Sequence, residues 1–575
     1  MPHSVEPLAV HSRGSRARVL LTSVFGPYAR DDEYGSRILN PMELYHNQVT
    51  RTQGVFSLRM FHRSWGLMLI QANLEAPCVL LDFPTRDRFE EELRARHYDV
   101  VGISAIAPNL VKVRTMCAMI RRHQPWAAIV VGGHIANRPG LQQEIDADHV
   151  VRGEGVAWLR RYLGEDESRP LRHPLIWSAV GGRTMGVRLP DGPGHTAATL
   201  IPSVGCPMGC NFCSTSAMFG GKGRSVTFYE SGDELYAIME ELERGLGARS
   251  FFVMDENFLL RRARALRLLE RMRRHGKPWA LYVFSSADAL RRYSMDELVG
   301  LGVSWVWIGL EGKESAYPKL RGADTRALVR QLQAHGIRVL GSTIIGLPEH
   351  TPATIDDAIE HAVAHDTEFH QFMLYTPVPG TPLYAEQLAK GTLLDEADCP
   401  PADAHGQLRF NFRHPHIRDG QETEFLLRAF RRDYEVNGPS ILRIARTLLQ
   451  GWTRHRHDPD PRVRARYAWE SRGLATGYAG ALWAAERWLA GEPRLAGKAR
   501  ALRSAVVGAF GLRARIAAPV VGRFVLQAMR REQRRLDSGW TYEPPTFYES
   551  NPAAAALAQE GRPAVAARSV ALASA

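Results

Sequence analysis

Cysteine is scarce in this 575-residue chain: six residues, too few and too scattered for a disulfide scaffold. No run of about 18 uninterrupted apolar residues is present, so no membrane-spanning helix is expected. The opening stretch MPHSVEPLAVHSRGSRARVLL lacks the apolar core and cleavage site of a signal peptide. Together these absences give the expectation of a cytoplasmic, reducing location. No self-similarity with a period of about 20–50 residues marks a repeat architecture. No basic run with interleaved aromatics and no RNA-binding module accompanies the net charge of +12. That surplus, 73 Lys+Arg over 61 Asp+Glu, is spread along the chain and is mostly Arg, which argues against a nucleic-acid partner.

What is present is ordinary globular material, 45% apolar and 23% charged, long enough for several domains. Over residues 15–165, short apolar runs (RVLLTSVF, CVLLDFP, DVVGISAI, AAIVVGG) alternate with helical periodicity. Such alternation predicts a parallel sheet covered on both faces, an N-terminal Rossmann-like, doubly wound domain. Its ligands belong at the strand carboxyl ends, Ser104-Ala105-Ile106 and Gly132-Gly133-His134. A lone histidine such as His134 is more often a satisfied polar group than a ligand. Residues 166–197, rich in Pro, Gly and charge, read as a linker. Six further strand–helix units over 198–395 predict a central partial (βα)6 TIM-like barrel, two units short of a closed one. Residues 420–540 read as a helical C-terminal domain, and 541–575 as a disordered tail. Cys78 and Cys117 read as buried hydrophobes, and Cys399 as a loop residue.

The other three cysteines, Cys206, Cys210 and Cys213, lie in one loop after the first strand of the second series. A structural zinc site wants a fourth ligand close by, and the nearest histidines, His195 and His275, are remote. Three thiolates suit an iron–sulfur cubane with one iron left open. Phe212 can cover such a cluster or pack beside an adenine. The spacing C-x3-C-x-aromatic-C, ahead of six βα units, resembles the radical S-adenosylmethionine (SAM) superfamily.

The resemblance implies a [4Fe-4S] cluster on Cys206, Cys210 and Cys213, with SAM bound at the open iron. It carries further expectations strand by strand. DENF places Asp255, Glu256 and Asn257 in the family's acidic turn, although the same residues suit a helix start. Ser285 and Ser286 can touch the cofactor or cap a helix. Glu311 in WIGLEGKES matches a turn contacting the ribose or amino group. Gly346 and Glu349 match a segment that packs on the adenine, but the first glycine falls one position early, at Gly341, with Ser342 in its place. Tyr375 to Tyr384 closes the series. Gly220, Gly221 and Gly223 allow close approach to the cofactor, and Lys222 and Arg224 either meet its carboxylate or are simply solvated.

A Rossmann-like domain ahead of such a barrel is similar to the superfamily's cobalamin-binding class, which places Ser104, Gly132 and Gly133 as cobalamin contacts. The D-x-H-x-x-G loop that supplies an axial histidine in many cobalamin domains is missing. The resemblance implies an enzyme that abstracts hydrogen from an unactivated carbon for cobalamin-assisted C-methylation or C–C bond formation on a natural-product or lipid-like substrate. An electron donor such as flavodoxin or ferredoxin would serve it. Alternatives are cyclisation or rearrangement without methyl transfer, or RNA modification. The helix RARIAAPVVGRFVLQAMRREQRRL suits either packing on the barrel mouth or peripheral membrane contact.

Overall fold

The computed structural model describes residues 8–26, 49–311, 324–418 and 420–560. In chain order its strands are β1 (Val19–Ser23), β2 (Arg59–Phe61), β3 (Cys78–Asp82), β4 (Val100–Ser104), β5 (Ala128–Gly132), β6 (His149–Val150), β7 (Val180–Thr184), β8 (Val187–Arg188) and β9 (Ala198–Leu200). Then come β10 (Ser203–Val204), β11 (Val226–Thr227), β12 (Ser250–Val253), β13 (Ala280–Ser285), β14 (Val303–Gly309), β15 (Arg338–Ile345), β16 (Phe369–Leu374) and β17 (Phe547–Ser550).

The first sheet has the order β17-β3-β1-β4-β5-β6, with every pair parallel except β17 on β3. β1 and β3 are buried at every position, which is why they read as unbroken apolar runs. Chain order reverses between β1 and β4, and a ligand crevice opens at the carboxyl end of such a switch. The second sheet runs β16-β15-β14-β13-β12-β9, open and parallel throughout. Local chemistry sets its helix ends. Ser231 and Glu234 form a reciprocal capping box at Gly232–Leu246, and Ser294 and Glu297 do the same at Met295–Leu301. The architecture is α/β, with parallel sheets followed by a helical region of five helices from Gln421–Asn437 to Pro493–Asp537.

Three segments differ from the sequence expectation. The stretch read as a linker contains β7, which pairs antiparallel with β2, and β8, which pairs antiparallel with β7. Their glycine-rich sequence hides them, because the partner strand lies far upstream. The stretch read as a disordered tail contains β17 and the helix Pro552–Glu560. β17 covers the exposed edge of β3, and Asn551 ties it down by accepting from the Cys78 amide at 3.0 Å and donating its own amide to the Cys78 carbonyl. Residues 561–575 lie outside the described ones. Finally, one stretch of Pro493–Asp537 is long and apolar enough to cross a membrane by length and composition, and only 22% of it is buried. Isolated arginines break it into short apolar runs, so a search for an uninterrupted run passes over it.

Candidate functional site

The loop after β9 is held in shape by its own backbone. The Cys213 amide donates to the Cys210 carbonyl at 3.0 Å, and the Gly223 amide to the Pro207 carbonyl at 2.8 Å. Ser216 Oγ donates to the Cys206 carbonyl at 2.8 Å. Gly205 and Gly209 take positive φ of 84° and 67°, and a Cβ on either would meet Phe219 or Lys222 at 2.6 or 2.5 Å. The loop therefore requires glycine at both places.

All three cysteines are half-buried, and none of the six is in a disulfide. Burial pushes the Cys206 thiol up to about 11, with Cys213, Cys210 and Glu256 adding to the rise, so these groups share one field. Among the described residues no three His, Cys, Asp or Glu side chains converge as a single-ion site. A cubane holds its thiolates on separate irons, and three cysteines in one loop are the donor set such a cluster takes.

The residues after the next strands divide into two groups. Asp255 is buried and fully engaged: it accepts from Ser203 Oγ at 2.5 Å, pairs with Arg264 and takes the Asn257 amide at 3.1 Å. It fixes the loop to the helix Arg262–Arg274. Removing one partner of such a buried pair costs about 3–5 kcal/mol. Asn257, Ser285 and Ser286 also satisfy one another. Asn257 Oδ1 accepts from Ser285 Oγ at 3.4 Å and from the Ser286 amide at 3.2 Å, and Asn257 Nδ2 donates to Ser286 Oγ. Ser286 in turn caps the next helix.

Glu256 differs. Its Oε2 is buried without a hydrogen-bond partner, beside the Gly205 amide. Burial pushes its carboxyl up to about 7. A buried carboxylate oxygen held next to the thiol loop is the donor-seeking group that a bound amine or hydroxyl would satisfy, so the residues fit SAM. Glu311 is buried at the end of β14, and the rest of its GKES turn lies outside the described residues.

Gly346 has φ 77° and carries the ring of Phe410, whose Cζ lies 2.3 Å from where a Cβ would stand. His414 stacks on that ring at 5.1 Å. Sequence reasoning missed Phe410 because nothing local joins it to β15; only the glycine hinted at a close approach. Glu349 is exposed. Two further supports show themselves only in the folded chain. Tyr375 accepts from Asn211 Nδ2 at 3.1 Å, and its ring meets Phe212 edge-on. His173 accepts the Ile201 amide at 3.0 Å, just ahead of the cysteines.

The first sheet contributes the facing edge. Ser104, Gly132 and Gly133 gather at the carboxyl ends of β4 and β5, half-buried, where the Ala105 amide donates to the Gly132 carbonyl at 3.1 Å. A Cβ on Gly133, at φ 82°, would lie 2.6 Å from the Ala105 oxygen. His134 Nδ1 and Asn137 Nδ2 are buried there without partners. Burial lowers the His134 pKa and so favours the uncharged ring. Two unpaired polar atoms beside a glycine-lined crevice fit an amide-rich ligand such as cobalamin.

The two edges touch. The turn His134–Asn137 packs on the helix Ser214–Met218 that follows Cys213. A Cβ on Gly380, in the loop after β16, would lie 2.4 Å from the Asn137 carbonyl oxygen. The turns Ala107–Asn109 and Pro401–Asp403 also meet.

Residues 200–362 match the family model of the radical SAM superfamily, and residues 54–163 that of the B12 binding domain. The chain is 25% identical over 334 residues to an uncharacterised methyltransferase of Pyrococcus horikoshii, covering 52% of this chain and 71% of that one. It is 26% identical over 317 residues to the hopanoid C-2 methylase of Rhodopseudomonas palustris, covering 52% of this chain and 59% of that one. The latter match thus spans less than two thirds of the relative. Among solved structures, the radical SAM methyltransferase TsrM of Kitasatospora setae, with cobalamin and a [4Fe-4S] cluster bound, is similar in fold, with a TM-score of 0.50. That likeness has 17% identity and covers 79% of this chain and 99% of the other. The chain thus carries a radical SAM domain with a B12-binding domain ahead of it.

Proposed function

We propose that the protein is a cobalamin-assisted radical SAM methyltransferase acting on an unactivated carbon of a natural-product or lipid-like molecule. In this reading the first sheet is the Rossmann-like carrier of cobalamin and the second an open (βα)6 partial barrel. One observation carries the reading: the loops after the strands of both sheets meet, so groups bound at the two edges share one chamber. When bound, a reduced [4Fe-4S] cluster supplies the electron that opens SAM to a hydrogen-abstracting radical, and cobalamin supplies a methyl carrier.

The chain's residues do the rest. Cys206, Cys210 and Cys213 would hold the cluster, and the glycine turns at 205 and 209 aim the loop. Glu256 offers its buried carboxylate oxygen to SAM, and Phe212, braced by Tyr375, shields the cluster from solvent. Asp255, Asn257, Ser285 and Ser286 position these groups through the bonds described above. Glu311 and Gly346 complete the SAM side, Glu311 by polar contact and Gly346 by letting Phe410 close over β15. Ser104, Gly132 and Gly133 leave room for the nucleotide tail of cobalamin, and His134 and Asn137 present polar atoms to it.

The substrate class follows the relative named for hopanoid methylation. A small reducing protein such as flavodoxin or ferredoxin supplies the electron. The test is anaerobic reconstitution with iron, sulfide and hydroxocobalamin. A [4Fe-4S] absorption band, a corrinoid that stays with the protein, and 5′-deoxyadenosine from SAM are expected. A zinc-bearing, iron-free protein defeats the proposal. Deoxyadenosine formation without retained corrinoid moves the reading to cyclisation or rearrangement.

A further inference from the structure

The long helix Pro493–Asp537 breaks at Gly511, whose φ of 62° and ψ of −140° are not helical, so the part from Leu512 onward presents its own faces. Its inner face, including Ala514, Ala518, Gly522, Val525 and Met529, is buried. The outer face is not. Leu512, Ile516, Val520 and Phe524 are 70%, 56%, 61% and 62% exposed and follow one another at every fourth residue, which stacks them on one side of the helix. Scattered exposed apolar residues need no explanation, but four in register form a patch.

Further along the same side the character changes. Gln527, Arg531 and Arg535 continue the row, with Arg523, Arg530 and Arg534 flanking it. Where the row meets the β7–β8 hairpin, an open pocket of about 180 Å3 is lined by Arg183, Arg188, Phe524, Gln527, Arg531 and Arg535. Glu532 lies at its base, buried, and is paired with Arg183 at 2.5 Å and with Arg535 at 3.3 Å. Glu532 is thus shared among three guanidinium groups, Arg183, Arg535 and, at 3.9 Å, Arg59, while Arg188 and Arg531 add two further cations to the pocket lining. Across the whole helix eleven Lys and Arg stand against two acids, Glu532 and Asp537.

An apolar row that runs into a cationic pocket matches a bilayer surface bearing anionic phospholipid. The aliphatic and aromatic tips suit the acyl boundary, and planar guanidinium forks suit phosphate oxygens. A soluble anion would leave the row uncovered, and a neutral bilayer would leave the arginines without counter-charge. We infer that the outer face of Leu512–Arg535 docks the protein peripherally on an anionic membrane surface, with one phospholipid headgroup seated among Arg183, Arg188, Arg531 and Arg535. The face neither needs nor touches the cysteine loop, so the inference stands apart from the proposed chemistry.

The experiment is flotation of the full chain with vesicles of phosphatidylcholine alone, or with about a third phosphatidylglycerol. Binding to the anionic vesicles should exceed that to neutral ones by about tenfold or more and weaken with salt. The pair Ile516→Glu and Val520→Glu, and separately Arg188→Glu with Arg531→Glu, should each lower that binding about tenfold with the melting temperature unchanged, because all four side chains are exposed. Equal binding to both vesicles, or binding that survives both pairs of changes, overturns the inference. So does a solution dimer that Val520→Glu splits in a protein that ignores vesicles, which would assign the face to a second copy of the chain. Inorganic phosphate captured by the pocket while vesicles are not would likewise overturn it.

Discussion

The two parallel sheets end in unlike chemistry. At the first sheet's carboxyl edge the chain offers small groups and backbone: Ser104, Ala105, Gly132 and Gly133. At the second it offers thiols and carboxylates: Cys206, Cys210, Cys213, Glu256 and Glu311. The first edge is defined by side chains that are missing, the second by side chains that are there. A large, preassembled ligand needs room and dispersed polar contacts, whereas a cluster built from iron and sulfide needs covalent donors at fixed places. The contrast predicts that substitutions should break the two edges in different ways: removal harms the second, addition the first.

Cys210→Ala should give the largest effect. Iron in the reconstituted protein should fall from about four per chain toward none, and 5′-deoxyadenosine should vanish, while the secondary structure persists. Addition at the other edge comes next. Gly133→Val places a side chain at φ 82° against the Ala105 oxygen, at a strain of about 1–3 kcal/mol. Retained corrinoid should drop more than about tenfold at unchanged iron content, an outcome that equilibrium dialysis and iron assay read separately. If both fall together, the edges are not independent.

His173 sharpens the comparison through pH. Burial lowers its imidazole to about 4 while its ring accepts the Ile201 amide ahead of the thiol loop. The folded state thus resists a proton that the unfolded chain accepts near its ordinary value of 6.5. Stability is complete above pH 6.5 and is lost as pH falls toward 4, by about 3 kcal/mol from this group. Denaturant melts of His173→Gln should show a shallower acid limb. Glu256→Gln keeps the shape but removes the charge offered to SAM; a loss of about 1.4 kcal/mol would weaken SAM binding tenfold, read by calorimetry on the reconstituted protein. Tyr375→Phe deletes one hydrogen bond, from Asn211, and should cost about 1 kcal/mol or less, seen as a slightly lower melting temperature with full iron loading.

Much of this was legible in the sequence. The strands of both parallel sheets announce themselves because burial on two faces demands unbroken apolar runs, and the three cysteines sit where one loop must hold them. What stayed hidden depends on partners far away in the chain. Asp255 reads as a cofactor contact until Arg264 and Ser203 are found on it. Ser285 and Ser286 read likewise until Asn257 closes their network. Phe410 has no local signature at all, and β7 and β8 look like a linker until β2 is placed beside them. Local pattern specifies elements; the consumption of polar groups by one another is a property of the assembled chamber.

β17 gives the molecule a temporal order. It supplies the last rung of a sheet whose other strands emerge during the first third of synthesis. Until residues 547–550 leave the ribosome, the free edge of β3 has no permanent partner, and the Cys78 amide lacks Asn551. The B12-binding domain is therefore completed only after the SAM domain and the helices have been made, like a clasp that shuts once everything is inside.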